Sequence, residues 1–150
     1  YVSVTGVQTC ALPIFVFSGV TILHDIPEYY KKYPELLDFL SAQKMPWKES
    51  RTLAGKIGEY IVMMRQSADN VYLIGAATNE NGRTIDLPLN FLDEGIFEAD
   101  VVEDGDDAHY LTNRETLKIM KKQVMNTDTL KLTLAPGGGT CVKIVKNRTK

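Results

Sequence analysis

The hydrophobic and polar positions of the chain follow two patterns, which meet at Met45-Pro46-Trp47. Residues 15–44 read as helical, and Pro34 is suited to the first turn of a short helix. Beyond Trp47 the pattern changes to short runs of β-formers separated by Gly, Asn and Asp. We expect the apolar stripe of the short helix to pack against a partner element. That stripe consists of Leu36, Leu37, Phe39 and Leu40.

The second pattern predicts a mainly β fold, an antiparallel β-sandwich of about eight short strands preceded by a helical part. Strand formation begins near Lys48, and Pro88 restricts its own strand to an edge or a strand end. The predicted strands cover residues 59–66, 71–78, 84–89, 96–102, 117–124, 129–135 and 140–145.

The front of the chain is treated separately. Residues 2–14 (VSVTGVQTCALPI) look like translated sequencing-adapter read-through, with a genuine apolar strand and a signal peptide as the alternatives. We expect residues 1–14 to be an artefact, the chain to start downstream of its natural N-terminus, and Cys141 to be the one native cysteine. The apolar run 15–23 fits a buried strand or a helix end equally well.

Composition narrows the function classes. The 150 residues carry 17 basic and 19 acidic side chains and a net charge of -2, which argues against binding to nucleic acid or an anionic membrane. No apolar run approaches the roughly 18 residues of a membrane span. The hydrophobic content of 44% is that of an ordinary folded domain.

Two loops have candidate chemistry. The acidic run 103–107 (EDGDD) could hold calcium, but Asp-Gly is also the standard signal for a tight turn, which we favour. Gly137-Gly138-Gly139 could cradle a phosphate, but a strand-like segment follows it where a phosphate loop needs a helix. We therefore expect a glycine-bearing hairpin there.

The remaining candidates also have simple structural explanations. His24 and Asp25 could form an acid–base pair, but Asp25 is well placed as the N-cap of a helix opened by Pro27. His109 is isolated in a loop, where we expect it to be solvated. Trp47 and nearby tyrosines could stack on sugars, although packing between elements is the simpler explanation. Those tyrosines are Tyr29, Tyr30 and Tyr33.

Several stretches, in this order, resemble glycoside hydrolase family 97. Residues 25–30 followed by a short helix look like the end of its catalytic barrel. The matches to its C-terminal domain are residues 47–51, 58–61 with Arg65, 69–79 (with Val71 where Trp is usual), 83–92 with Gly95, Asp104-Gly105 with Ala108, and 134–139. The resemblance covers residues 16–145.

This resemblance implies a parent enzyme with a (β/α)8 catalytic barrel and a C-terminal β-sandwich. Such enzymes hydrolyse α-glucosides or α-galactosides, use calcium bound in the barrel, and are mostly periplasmic or secreted. Their catalytic motifs match no residue here. Glycoside hydrolysis needs two positioned carboxylates, and barrel enzymes supply them from several strand ends. We expect Asp25, Glu28, Glu35 and Asp38 to lie on solvated helix ends or faces.

The sequence therefore predicts three segments: an artefact at 1–14, the helical end of a barrel at 15–46, and a C-terminal β-sandwich at 47–150. We predict no catalytic, cofactor or metal residue in this part. The expected role is structural, covering the barrel and assisting subunit contacts. The alternative is a carbohydrate-binding module, for which Tyr72, Phe97 and Tyr110 are the available aromatics. Without a barrel, the stripe of residues 36–40 should be exposed.

Overall fold

The computed structural model describes residues 4–16 and 31–147. Within these ranges two helices precede eight strands, so the helix-to-strand change at Trp47 is confirmed. The helices are α1 (Gly6–Phe15) and α2 (Pro34–Ser41). The strands are β1 (Glu49–Lys56), β2 (Tyr60–Gln66), β3 (Tyr72–Thr78), β4 (Arg83–Pro88), β5 (Phe97–Asp104), β6 (Leu117–Val124), β7 (Thr129–Leu134) and β8 (Gly139–Lys146).

Helix α1 lies within the segment set aside as an artefact. Thr5 is its N-cap, because the side chain accepts a hydrogen bond from the amide of Gln8 at 3.3 Å. Val7, Ala11 and Ile14 repeat at helical spacing and are almost completely buried. The segment is thus a helix where a strand was the alternative. Its packing does not bear on its origin, which stays a prediction.

Helix α2 begins at Pro34, as the sequence predicts, but its apolar stripe is not left exposed. Leu36 and Phe39 are 4% and 2% exposed, because they pack against the sheet and α1. Leu37 is 40% exposed. The expectation that the whole stripe lacks a partner is therefore wrong, because the inner side of the helix packs against α1 and the sheet of the same chain.

The eight strands form two antiparallel sheets that face each other. The large sheet has the order β1-β2-β3-β8-β5-β6, and the small sheet pairs β4 with β7. The small sheet covers one face of the large sheet, and the helices cover part of the other. Every residue of β3 is consequently buried, which explains why its sequence is apolar without alternation. The predicted two-layer arrangement of strands is confirmed.

The large sheet separates two hydrophobic clusters. The cluster between the sheets includes Met64, Ile74, Leu89, Leu132 and Ile144. The cluster under the helices joins α1 and α2 to the opposite face of β3, β5 and β8. The helices are thus part of the domain's packing, and the face that they cover belongs to the same sheet.

Two turns differ from expectation. The acidic run does contain a turn, in which the amide of Ala108 donates to the carbonyl of Gly105 at 3.0 Å, but this turn does not join β5 directly to β6, which begins only at Leu117. The glycine segment 137–139 does not close a hairpin, because β7 pairs with β4 whereas β8 pairs with β3 and β5. It is an arch that carries the chain from the small sheet to the large one.

Candidate functional site

The buried carboxylate of Asp104 lies beneath this arch and binds its backbone. Oδ2 of Asp104 accepts hydrogen bonds from the amides of Gly139 at 2.7 Å and Ala135 at 3.2 Å. Gly138 packs so closely on the carboxylate that a Cβ there would lie 1.9 Å from Oδ2. Gly137 has a φ of +65°, and the amide of Gly138 closes a turn onto the carbonyl of Ala135 at 2.8 Å. The glycines are needed for backbone geometry and close approach.

The environment of Asp104 disfavours ionisation. Burial raises the pKa of its carboxyl, while hydrogen bonds from Thr5, Gly139 and Ala135 act in the opposite direction. Its Oδ1 is buried without a hydrogen-bond partner among the described residues. Glu103, the neighbouring carboxylate, accepts from the amide of Thr133 at 3.2 Å. Both acids of the run 103–107 that reach the interior thus bind backbone amides.

The calcium alternative for residues 103–107 finds no ligand set. Across residues 4–16 and 31–147, no three His, Cys, Asp or Glu side chains gather where a metal ion could be held. Lys118 pairs with the exposed Asp106, and Asn113 donates to Asp107 at 2.8 Å. The carboxylates of this loop are therefore not grouped around one point, as a calcium site requires. The calcium of the parent barrel stays a prediction.

Burial makes the thiols of Cys10 and Cys141 unreactive. Cys10 and Cys141 are both free and buried. Burial raises the pKa of Cys10 to about 11 and that of Cys141 well above its usual value. Since the thiolate is the reactive form, neither is an activated nucleophile.

Of the other predicted candidates, only some lie in the part of the chain that the structure describes. His24, Asp25, Glu28, Tyr29 and Tyr30 lie outside the described residues. His109 lies in a loop, where its Nδ1 accepts from the amide of Leu111 at 3.1 Å.

Of the helix carboxylates predicted to be solvated, Asp38 is exposed and pairs with Lys143, whereas Glu35 is half-buried and lines a cavity beside it. Asp38 and Asp100 flank Lys143, whose Nζ lies 3.3 Å from Oδ2 of Asp100. Lys121 lies 3.2 Å from the other oxygen of Asp100. These charges neutralise one another on the side of the sheet that α2 covers. The ion pairs therefore hold the helix against the sheet and do not form a catalytic pair.

The three aromatic candidates of the sandwich do not come together as an exposed platform for a sugar. Tyr72 and Phe97 are 5% and 1% exposed and meet edge to face at 6.1 Å within the core between the sheets. Tyr110 is half-buried, and its ring stacks on His109 at 4.7 Å. The burial of Tyr72 was predicted, and that of Phe97 removes a second candidate.

Sequence reasoning missed the importance of Arg65, the largest fully buried side chain of the described residues. Its Nε donates to the carbonyl of Ile14 at 2.7 Å, and its Nη2 donates to that of Val16 at 3.2 Å. The guanidinium also donates to Ser50 at 2.9 Å and lies 5.5 Å from the ring of Trp47. Arg65 thus fastens the end of α1 to the large sheet. The motif match drew attention to Arg65 without indicating this contact.

Comparison with known proteins identifies the domain. The family described as "Glycosyl-hydrolase 97 C-terminal, oligomerisation" matches residues 46–145. This chain therefore belongs to the glycoside hydrolase family 97 C-terminal domain family, as the ordered motifs indicated. It is 34% identical over 140 residues to a retaining alpha-galactosidase of Bacteroides thetaiotaomicron and 30% identical over 128 residues to a probable retaining alpha-galactosidase of Streptomyces bingchenggensis.

Solved structures of family 97 enzymes contain a domain of the same fold. A glycoside hydrolase family 97 enzyme from a Pseudoalteromonas strain, determined in complex with acarbose, superposes with a TM-score of 0.90 at 32% identity. The match covers 96% of this chain and 23% of that enzyme. A beta-arabinopyranosidase shares the fold, with a TM-score of 0.72 at 19% identity.

The chain spans about a fifth of the length of the relatives that it matches: 93% of this chain corresponds to 21% of the Bacteroides protein and 85% to 19% of the Streptomyces protein. Because the matched family is described as C-terminal, the chain corresponds to the C-terminal part of these longer relatives. In the part of the chain that the structure describes, no helix is long and apolar enough to cross a membrane.

Proposed function

We propose that this chain is the non-catalytic C-terminal domain of a larger α-glycoside hydrolase, in which it supports the catalytic barrel and contributes to subunit contacts. The observation that carries the proposal is the match to the family 97 C-terminal domain over residues 46–145. The description of that family includes oligomerisation, which supports a structural role.

The chemistry of the described residues supports the absence of catalysis. Hydrolysis of a glycoside needs one carboxyl group to protonate the leaving oxygen and a second to act as nucleophile or base. Glu103 and Asp104 are committed to backbone amides, whereas Asp38 and Asp100 share Lys143. These four carboxylates are therefore already paired with backbone amides or with a lysine.

The parent enzyme is proposed to act on α-galactosides or α-glucosides. Two relatives are named as retaining or probable retaining alpha-galactosidases, and the similar solved enzyme binds acarbose. Calcium would then be held by the barrel, and the periplasm or the exterior would be the site of action. This chain supplies no ligand set for that calcium within its described residues.

The deciding experiment combines DNA sequencing with an assay. The genomic DNA upstream of Phe15, read without assembly, should encode a catalytic barrel and replace residues 1–14 by native sequence. The full-length enzyme should then hydrolyse nitrophenyl α-galactoside or α-glucoside with calcium, while the 150-residue chain shows no turnover. Upstream DNA without a barrel, or real turnover by the short chain, would overturn the proposal.

A further inference from the structure

The turn between β3 and β4 contains the dipeptide Asn81-Gly82, and Asn81 is the one asparagine of the chain that glycine follows. Both residues are exposed. Glycine has no side chain to shield its amide nitrogen, and its backbone rotates more freely than that of other residues. The amide nitrogen of Gly82 is therefore the least hindered neighbour that any asparagine side chain of this chain has.

The packing of this turn explains why a glycine follows Asn81. A Cβ at position 82 would lie 3.0 Å from Cδ of Pro136 and 3.2 Å from the carbonyl oxygen of Leu134. The turn thus approaches the end of β7 too closely to leave comfortable room for a side chain. The fold itself favours the glycine, and the asparagine before it has an unshielded neighbour as a consequence.

The groups that would react are free, although the backbone around them is held. The amide of Asn81 donates to Oδ1 of Asn79 at 3.1 Å, and the carbonyl of Asn81 accepts from Oγ1 of Thr78 at 2.8 Å. Among the described residues, by contrast, no hydrogen bond engages the side chain of Asn81 or the amide of Gly82. The side-chain amide carbon and the nitrogen that follows it are thus open to each other and to water.

Two other positions in the chain show which restraints are missing at this turn. Asn70 is also exposed in a turn, but valine follows it, and its Oδ1 accepts from Nζ of Lys48 at 2.7 Å. Asp104 precedes a glycine, but its carboxyl is buried, and the amide of Gly105 donates to the carbonyl of Thr116 at 2.9 Å. A β-branched side chain restrains the nitrogen in the first case, and a hydrogen bond restrains it in the second.

We propose that Asn81 is a site of spontaneous deamidation, at which a neutral side-chain amide becomes a carboxylate without an enzyme. The nitrogen of Gly82 loses its proton and bonds to Cγ of Asn81, and the Cγ–Nδ2 bond breaks to release ammonia. Water then opens the resulting succinimide ring. Attack of water at Cγ gives aspartate, whereas attack at the main-chain carbonyl gives isoaspartate, so the net reaction consumes water and releases ammonia.

The two products differ in their effect on the connection between the sheets. The guanidinium of Arg83, at the start of β4, donates to Oγ1 of Thr78 at 2.7 Å and to Oδ1 of Asn79 at 3.1 Å. It also donates to Oε2 of Glu59 at 3.3 Å. Isoaspartate lengthens the main chain by a methylene group between Asn79 and Arg83, so it displaces these partners relative to one another. Aspartate adds only the charge, and the attachment of β4 to the large sheet is then unaltered.

The test follows the folded 150-residue chain during incubation at neutral and at mildly alkaline pH. Mass spectrometry of digested samples should show the amide-to-acid mass change at Asn81 about tenfold faster than at Asn70, because valine hinders the nitrogen that follows Asn70. The rate should increase with pH, since the attacking nitrogen must lose its proton. A methyltransferase specific for isoaspartyl carboxyl groups should label the aged chain, and Asn81→Gln should abolish the label, because glutamine would have to form a larger ring.

Two results would overturn the proposal. The first is an equal rate at Asn81 and Asn70 in the folded chain. The second is a reaction at Asn81 that occurs only in urea, because the folded turn then protects the asparagine. The isoaspartyl form should also melt at a lower temperature than Asn81→Asp, which carries the same charge on an unaltered main chain, and equal melting temperatures would contradict the inferred displacement at Arg83. None of these results bears on the proposed function, since they concern neither catalysis nor subunit contacts.

Discussion

Asp104 makes the stability of the domain depend on pH. Its carboxylate holds two amides of the glycine arch, yet burial opposes its charge. The pKa in the folded state is therefore raised above the ordinary value of 3.8. A group of this kind binds its proton more tightly in the folded state than in the unfolded state, so acid favours folding through it.

The resulting prediction concerns Asp104→Asn, which cannot titrate. As the pH falls from 7 toward 4, wild-type protein should gain free energy of unfolding relative to this variant, because the protonated carboxyl is the form that the folded site prefers. Stability from this group is complete below 3.8 and is lost as the pH rises through the raised pKa. Urea titrations at several pH values measure the difference. Asp106→Asn is the control, since Asp106 is exposed.

The glycines give a second prediction at the residue scale. Gly138→Ala should lower the free energy of unfolding by about 3 kcal/mol, because the new methyl group would collide with the Asp104 carboxylate. Gly58→Ala should lower it by about 1 kcal/mol, since only the positive φ opposes a side chain in open space. Chemical denaturation of both variants tests this. Equal losses of free energy of unfolding in the two variants would mean that the arch accommodates the methyl group at little cost.

At the scale of elements, Arg65 joins the end of α1 to the sheet by donating to the carbonyls of Ile14 and Val16, and it also donates to Ser50 of the neighbouring strand β1. Arg65→Lys keeps the charge but cannot reach Ile14, Val16 and Ser50 together. We expect a loss of about 2 kcal/mol and faster amide hydrogen exchange in residues 6–16. Arg51→Lys is the control, because Arg51 is exposed on the edge strand and should change stability by less than about 0.5 kcal/mol. Unchanged exchange in α1 would show that packing alone holds the helix.

The strands were predictable from sequence because their signals are local. Strand β7 alternates apolar and polar residues because only one of its faces is covered. Strand β3 is an apolar run because both of its faces are covered. The arch at residues 137–139 was misread as a hairpin, since the glycines specify a turn and not the sheet to which the next strand belongs. The contacts of Arg65 with Ile14 and of Asp104 with Gly139 join residues more than 30 positions apart and have no local signal.

At the scale of the whole molecule, the sequence indicated a boundary at Trp47 between helical and β parts. The structure shows that this boundary lies inside one packing unit. Leu73, Val102 and Cys141 of the large sheet share a cluster with residues of both helices. The family match begins at residue 46, so the matched domain alone lacks the cover for this face. The boundary in sequence and the boundary of the packed domain therefore differ.

Deletion of residues 1–45 tests this distinction. The shortened chain keeps both sheets but exposes the apolar face that α1 and α2 cover, so it should bind the dye ANS strongly and self-associate, whereas the 150-residue chain should bind less. Deletion of residues 148–150 is the control and should change neither property. Sedimentation velocity and dye fluorescence at matched concentrations give the comparison. A monomeric, dye-free chain 46–150 with an unchanged melting temperature would show that the helices do not contribute to domain stability, and the sheet would then have to be stable with one face open to water.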